Sequence, residues 1–337
     1  MFSRDRLLQL MEAMKGKSVV VYGDIVADRF IYGTPKRISR EAPVLILRQY
    51  GEEVLLGGGG NAINNLLSLG GLPRPVSVVG DDAAGHALIA KLTAAGVDAG
   101  AILRLDRYQT PTKVRVVGGL PHSAKQQIVR YDIEDRVELS VEEANRFARL
   151  LRDQMGVCDA ALISDYGYGV VTPSLAGNLT GFAHGKPVTL DSRFDLLRYP
   201  EVTAATPNEE EAAAASGRAL FDDSDENFEF AGNAIQKGLD CEAVLVTRGS
   251  RGMALFERGN AKPLQIPVYG TDQIADVTGA GDTVIAAFTL ALTAGASYAE
   301  AAKIANYAGG IVVMKMGTAT VSNGELRHAI ERDEELE

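Results

Sequence analysis

The chain has 337 residues, with 34 Lys and Arg against 44 Asp and Glu, a formal net charge of -10, and 46% hydrophobic residues. This is an ordinary globular composition with ample material for a large core. The acidic balance argues against a nucleic-acid-binding surface while leaving room for a local basic pocket.

The first seventeen residues, MFSRDRLLQLMEAMKGK, alternate charge and apolar side chains as an amphipathic helix does, and lack the apolar core of a signal peptide. No window approaches the roughly 18–20 uninterrupted apolar residues of a membrane span. Ser18–Tyr22 reads as a strand ending at Gly23-Asp24, Ala62–Leu69 as a helix and Val76–Val79 as the next strand. Phe147–Gln154 is helical, and Ala160–Ser164 is a strand ending at Asp165. Pro187–Leu190 ends at Asp191, and Ala243–Thr247 is followed by Arg248-Gly249. Nearly all-apolar strands separated by helices predict a parallel sheet covered on both faces. Ligands in such sheets bind beyond the carboxyl ends of the strands, where Asp24, Asp165, Asp191 and Gly249 fall.

Two stretches, Phe30–Val54 and Tyr108–Ile133, alternate apolar and polar residues instead. They predict half-exposed antiparallel strands with a hairpin turn near Gly118–His122. We read lid segments at about 30–54 and 108–133, projecting from a single domain that spans 1–337; the plainer alternative is a surface hairpin without function. The acidic run 221–230 predicts a solvated loop or helix start. Cys158 and Cys241 lie far apart in apolar contexts, which predicts buried free thiols, a reducing compartment and a cytoplasmic protein.

The stretch "DVTGAGDTVIAAF" (276–288) sets Gly279, Ala280 and Gly281 between two aspartates, directly before an apolar helix. Glycine there allows a sharp turn and a close backbone approach to a ligand. A helix start also presents unpaired N–H groups and partial positive charge, so the segment predicts an anion site. Asp282 at its mouth suits proton handling, or else it caps the helix.

Together with "GGGGNAINN", this stretch resembles the two signatures of the PfkB or ribokinase-like carbohydrate kinases, and the resemblance runs over nearly the whole chain. It implies a ribokinase-like three-layer α/β/α sandwich with a mostly parallel central sheet and a small projecting β lid. It also implies an enzyme that uses ATP and Mg²⁺, and leaves open a monovalent cation such as K⁺ beside the anion site. Asp282 matches the family's catalytic base, beside a Gly279–Gly281 anion hole for the transferring phosphate. Gly57, Gly58 and Asn61 match the first signature, and Asp24 and Asp28 match a Gly-Asp-x-x-x-Asp pattern for sugar hydroxyls. A turn aspartate plus a surface aspartate is the simpler account of that pair. Asn208 and Glu211 match an Asn-x-x-Glu motif tied to magnesium, with Glu211 acting through water; a helix cap explains the same residues. Thr247, Gly249 and Gly252 resemble the family's nucleotide loop, and Asn306 falls in its adenine-side helix.

Within the family, "RISREAPV" (37–44), "PTKVRVV", "QQIVRYDIED", "LISDYGYG" (162–169) and "KMGTATVS" resemble the heptose 7-phosphate kinases. A phosphorylated acceptor needs cations, and Lys36, Arg37, Lys113, Arg115 and Arg130 occur in the lid segments. Solvated strand charges are the alternative. The chain departs from that branch at Tyr168, where a Lys is usual, and at Ile63, where a small residue is expected. Bifunctional members carry a second, nucleotidyltransferase domain, and a chain ending at Glu337 is expected to be a kinase alone. Another sugar kinase, a nucleoside or vitamin kinase, and a non-catalytic sugar sensor are the rival readings. A homodimer formed through the lid is expected, because a projecting sheet has edges and an apolar face to cover.

Overall fold

The computed structural model describes residues 2–120, 125–218, 225–270, 276–315 and 317–337. Thirteen strands lie among them: β1 (Ser18–Gly23), β2 (Ile25–Ile38), β3 (Leu45–Gly58), β4 (Leu72–Gly80), β5 (Ile102–Leu105), β6 (Thr112–Gly118) and β7 (Gln126–Ile133). They continue with β8 (Ala160–Asp165), β9 (Val188–Ser192), β10 (Ala204–Ala205), β11 (Ala243–Thr247), β12 (Met253–Glu257) and β13 (Leu264–Ile266). Nine form one sheet in the order β13-β12-β11-β10-β9-β8-β1-β4-β5.

The valine-rich strands are stiff at χ1 and fit a pleated surface buried on both sides. Successive residues of β1 feed opposite cores: Val19 and Val21 pack into one apolar cluster, Val20 and Tyr22 into the other. Leu162 and Ile163 of β8, and Leu245 and Val246 of β11, divide the same way. Helices Arg4–Met14, Gly59–Ser68, Ala280–Thr293 and Tyr298–Val312 cover the first face, and Val141–Val157, Pro173–Ala183 and Asp225–Leu239 cover the second. The result is a three-layer α/β/α sandwich, as expected. Its strands β5, β4, β1, β8, β9, β10 and β11 run parallel, and β12 and β13 add an antiparallel edge.

The two alternating segments lie outside this sheet and form a second one, ordered β3-β2-β6-β7. Its strands reach further than the alternation suggests, because β2 starts at Ile25 and β3 continues to Gly58. The second part of the expected turn near Gly118–His122, residues 121–122, lies outside the described residues, as does the first part of the acidic run 221–230. Helix Gly59–Ser68 starts three residues before the expected one, within the glycines.

Pleating gives the second sheet two unlike faces. Asp28, Lys113 and Asp132 align across β2, β6 and β7, followed two residues on by Phe30, Arg115 and Arg130. The alternate residues Ile31, Val116 and Val129, with Val114 and Tyr131, make the opposite face. The polar face turns toward the carboxyl ends of β1, β8 and β9. Neighbours of β1 on its two sides come from successive and later parts of the chain, so the strand order switches there, and α/β sheets bind ligands at such a point.

Phe288 is fully buried in helix Ala280–Thr293, which carries the candidate catalytic residue. Phe288→Ala is expected to cost about 3–5 kcal/mol, read as a lower urea midpoint with an unchanged m-value.

Candidate active site

Gly279 takes φ 77° and caps helix Ala280–Thr293 with its backbone alone. The first intrahelical bond runs from Thr283 N–H to Gly279 O at 3.2 Å. Ala280 N–H turns back to Val277 O at 3.2 Å, so of the expected Gly279–Gly281 amides this one is engaged within the turn. The amides of Gly281 and Asp282, like that of Gly279, have no acceptor among the described residues. Both residues line a cleft of about 620 Å³.

Asp282 does not cap the helix. Its carboxylate is buried, with Oδ2 accepting from Asn61 Nδ2 at 2.9 Å and Oδ1 accepting from Tyr166 Oη at 3.0 Å. Asn61 Nδ2 also reaches Gly279 O at 3.3 Å, so a Cβ at residue 279 would collide with it. Asn65 donates to Asn61 O at 3.0 Å and accepts from Thr283 Oγ1 at 3.1 Å, fixing the two helix starts against each other. Burial pushes the Asp282 carboxyl up to about 7, against the opposing hydrogen bonds from Asn61 and Tyr166. At that value the group exchanges a proton near neutral pH, as a general base must.

Across the cleft, Arg115 forms a buried ion pair with Asp28 and lies 5.2 Å from the centre of the Phe30 ring. Gly57 leaves the space that the Asp28 carboxylate fills, since a Cβ there would meet Oδ2. Arg130 grips Asp132 with both ends of its guanidinium, at 2.8 and 2.6 Å. Lys113 and Arg193 also line the cleft, and no carboxylate lies within ion-pair distance of either among the described residues. Burial holds the Lys113 ammonium below its usual range. Lys36 and Arg37 are exposed toward the outer end of β2, away from this cleft. A second cavity of about 490 Å³ adjoins the first and shares Lys113, Arg130, Tyr166, Arg193 and Phe194 with it.

Asp24 requires a correction. Its Oδ2 accepts from the amides of Tyr166 (2.8 Å) and Tyr168 (3.2 Å), and its Oδ1 from Val170 N–H (3.2 Å). The carboxylate is 1% exposed and off the cleft wall, so it folds the 166–170 loop and is not positioned to meet a sugar hydroxyl.

Asn208, Glu211 and Thr247 line the far end of the cleft with Asp191. Asn208 caps helix Glu209–Ser216 in a reciprocal box with Glu211, both hydrogen bonds being 2.9 Å. Burial, then repulsion by Glu211 and Asp282, holds the Asp191 carboxyl well above its usual range, and burial raises Glu211. Gly58 lines the cleft and Asn61 stands behind Asp282, whereas Gly249, Gly252 and Asn306 lie off its wall. Gly249–Arg251 is a short 3₁₀ turn after β11. Asn306 is buried in helix Tyr298–Val312 with no partner for its Oδ1. Sequence reasoning placed Asp191 at a strand end where a ligand binds without giving it a role, and assigned none to Tyr166 or Arg193. Each sits at or just past the carboxyl end of β8 or β9, the position that could have singled them out.

The pattern of the pfkB family carbohydrate kinases matches residues 16–150 and 182–324 of this chain. The chain belongs to the pfkB family of carbohydrate kinases. Among curated relatives, the bifunctional protein HldE of Pelobacter propionicus is 39% identical over 330 residues, covering 97% of this chain and 66% of the relative. That of Caulobacter vibrioides is 40% identical over 329 residues, covering 96% and 65%. The chain thus spans slightly less than two thirds of the length of these relatives. In fold it is similar to phosphofructokinase-2 from Escherichia coli in complex with potassium, with a TM-score of 0.75, 19% identity, and 94% and 98% of the two chains covered. Ribokinase of Arabidopsis thaliana, complexed with ribose and ATP, gives 0.68 at 21% identity, covering 94% and 99%. The pfkB match marks the chain as a carbohydrate kinase, and these neighbours show its ribokinase-like fold. Among the described residues no helix is long and apolar enough to cross a membrane.

A carboxyl whose folded value lies above its unfolded one destabilises the fold as it ionises. Stability attributable to Asp282 is therefore present at acid pH and falls as pH rises from about 4 to about 7. Asp282→Asn removes the buried charge and is expected to match or exceed the parent's Tm at pH 8, the gap closing by pH 5. A Tm deficit at pH 8, measured by differential scanning calorimetry, would contradict this.

Proposed function

We propose that this pfkB kinase transfers the γ-phosphoryl group of ATP to a hydroxyl of a sugar that already carries a phosphate, a heptose 7-phosphate-like acceptor. The observation that carries the reading is the buried Asp282 carboxylate, titrating near 7, beside two free amides at a helix start and facing a cation-lined cleft. Phosphoryl transfer asks a protein for positioning and for compensation of negative charge. The Gly281 and Asp282 amides would cradle the transferring group, and Asp282 would take the proton from the attacking hydroxyl.

The acceptor class rests on the HldE relatives and on the cations. Lys113 and Arg193, which form no ion pair among the described residues, stand where the cleft meets its neighbouring cavity, with Arg130 beside them. Arginine suits bidentate phosphate contacts. The cation absent at Tyr168, whose hydroxyl donates to Glu134 at 3.1 Å, is made up from across the cavity. Arg115 acts through Asp28, whose carboxylate it orients toward the cleft.

Asp191 and Glu211 fit a divalent cation, because two half-buried, neighbouring carboxylates whose raised affinity for protons is offset only in part by Arg193 are relieved by one. No cluster of three or more His, Cys, Asp or Glu able to hold a metal occurs among the described residues, so Mg²⁺ would keep several waters. When bound it neutralises charge on the phosphates of ATP. Thr247 and Asn208 mark the nucleotide end, and the K⁺ of the phosphofructokinase-2 structure belongs to that protein. The β2-β3-β6-β7 sheet is read as the lid of one kinase unit. The free thiols Cys158 and Cys241 suit a reducing cytoplasm.

The test is ATP consumption with heptose 7-phosphate, fructose 6-phosphate, fructose and ribose. Phosphorylated acceptors are expected to be preferred, and equal rates on fructose and ribose would overturn the acceptor class. In Asp282→Asn, turnover on the best acceptor should fall by on the order of 10² or more while ATP affinity stays near the parent's. Turnover within a fewfold of the parent would remove Asp282 as the base.

The lid's outer face supports a homodimer, since Val129 and Tyr131 on it are each 49% exposed. Light scattering should give twice the chain mass for the parent and the single-chain mass for Val129→Glu.

A further inference from the structure

We propose that Tyr166 is a positioning residue for the reaction, its hydroxyl holding Asp282 in the orientation from which the carboxylate receives the acceptor's proton. The inference rests on Asp282 being the base and gives a role to Tyr166, which the "LISDYGYG" stretch contains without assigning it one. Four contacts fix Tyr166. Its amide donates to Asp24 Oδ2 at 2.8 Å, which is the purpose the buried Asp24 carboxylate serves. Its ring lies under Lys113 Nζ, 5.3 Å from the centroid, and against residue 58, where a Cβ would stand 3.4 Å from Cδ2. Its hydroxyl donates to Asp282 Oδ1 at 3.0 Å.

A carboxylate torsion is broad and roughly two-fold, so one hydrogen bond leaves the group free to swing. Asn61 on Oδ2 and Tyr166 on Oδ1 together fix its plane and leave one lone pair on each oxygen for a substrate hydroxyl. Burial and the adjacent Asp282 charge hold the Tyr166 phenol far above its ordinary value, so it remains a donor over the working pH range. The charged groups bearing on Asp282 are Asp28, Lys113 and Asp191. Asp28 and Asp191 favour its protonated form and Lys113 its ionised form. The Tyr166 hydrogen bond favours the ionised form, so its loss should make Asp282 harder to ionise.

Tyr166→Phe keeps the ring and removes only the hydroxyl. In protein labelled with [¹³Cγ]aspartate, the Asp282 signal is the one missing from Asp282→Asn, and its titration can be followed with no acceptor present. We expect its midpoint to rise by about one pH unit in Tyr166→Phe, and the acid limb of the pH–rate profile to move with it. On the acceptor that the parent uses, kcat should fall about tenfold with KM little changed. An Asp282 midpoint that stays in place or falls in folded Tyr166→Phe overturns the proposal. Parent-like turnover in Asp282→Asn would instead overturn the assignment of the base, while the titration would still report whether Tyr166 holds that carboxylate.

Discussion

One side-chain amide ties the site together. Asn61 Nδ2 lies between two glycine-led helix starts and donates both to Asp282 Oδ2 and to the carbonyl of Gly279. Its own carbonyl oxygen and backbone are held by Asn65, which Thr283 binds in turn. Helix Gly59–Ser68 and helix Ala280–Thr293, distant in sequence, are thereby locked at their amino ends. Glycine at 279 is the condition for that contact, because a side chain would occupy the space of the amide. A buried network of this kind is stable only when every member is satisfied, and here each carboxylate oxygen of Asp282 has its donor.

The rest of the site is arranged around negative charge that the fold does not neutralise by itself. Asp24, Asp191 and Asp282 all sit at the carboxyl ends of strands or the start of a helix, and burial raises all three carboxyls. The second sheet answers with Lys113, Arg115 and Arg130 on one face only. Asp28 and Asp132 each engage one of the arginines, which leaves Lys113, with Arg193 of the main body, as the cations available to a ligand. An enzyme of net charge -10 can thus offer an anionic substrate a positive surface confined to a single cleft.

The layers and the position of Asp282 were legible because each rests on local pattern. Continuous apolar runs such as AALIS and AVLVT mark doubly covered strands, and Gly-Ala-Gly before an apolar helix marks an anion-binding turn. The lid strands were legible as alternation, although their inner ends were not, since Ile25–Ala27 and Leu55–Gly58 are as apolar or as glycine-rich as the core. What sequence could not disclose is pairing across distance. Tyr166 and Asp282 are 116 positions apart, and nothing local distinguishes a tyrosine that orients a base from one that packs. Asp24 misled for a related reason: its spacing matched a sugar-binding pattern, while its carboxylate is consumed by amides some 142–146 positions later. Ala280 was lost to a single turn hydrogen bond that no residue type encodes.

Only Asp24 separates the last residue of β1 from the first of β2, and only the step from Gly58 to Gly59 separates β3 from the following helix. Asp24 is also pinned on both sides of its backbone, its N–H to Ser164 O at 3.0 Å and its carbonyl to Gly59 N–H at 2.9 Å. The small sheet is therefore rooted in the main one without a slack joint. The pairing of β2 with β3 slips at Tyr32/Gly33 and again at Pro35/Arg37, and irregularities of this kind are where a ribbon bends. Compliance is thus pushed to the distal half of the ribbon, like a stiff stem with a pliant blade. A load applied at the tip would alter how far the cleft is roofed while leaving the root, and with it the geometry around Asp282, undisturbed.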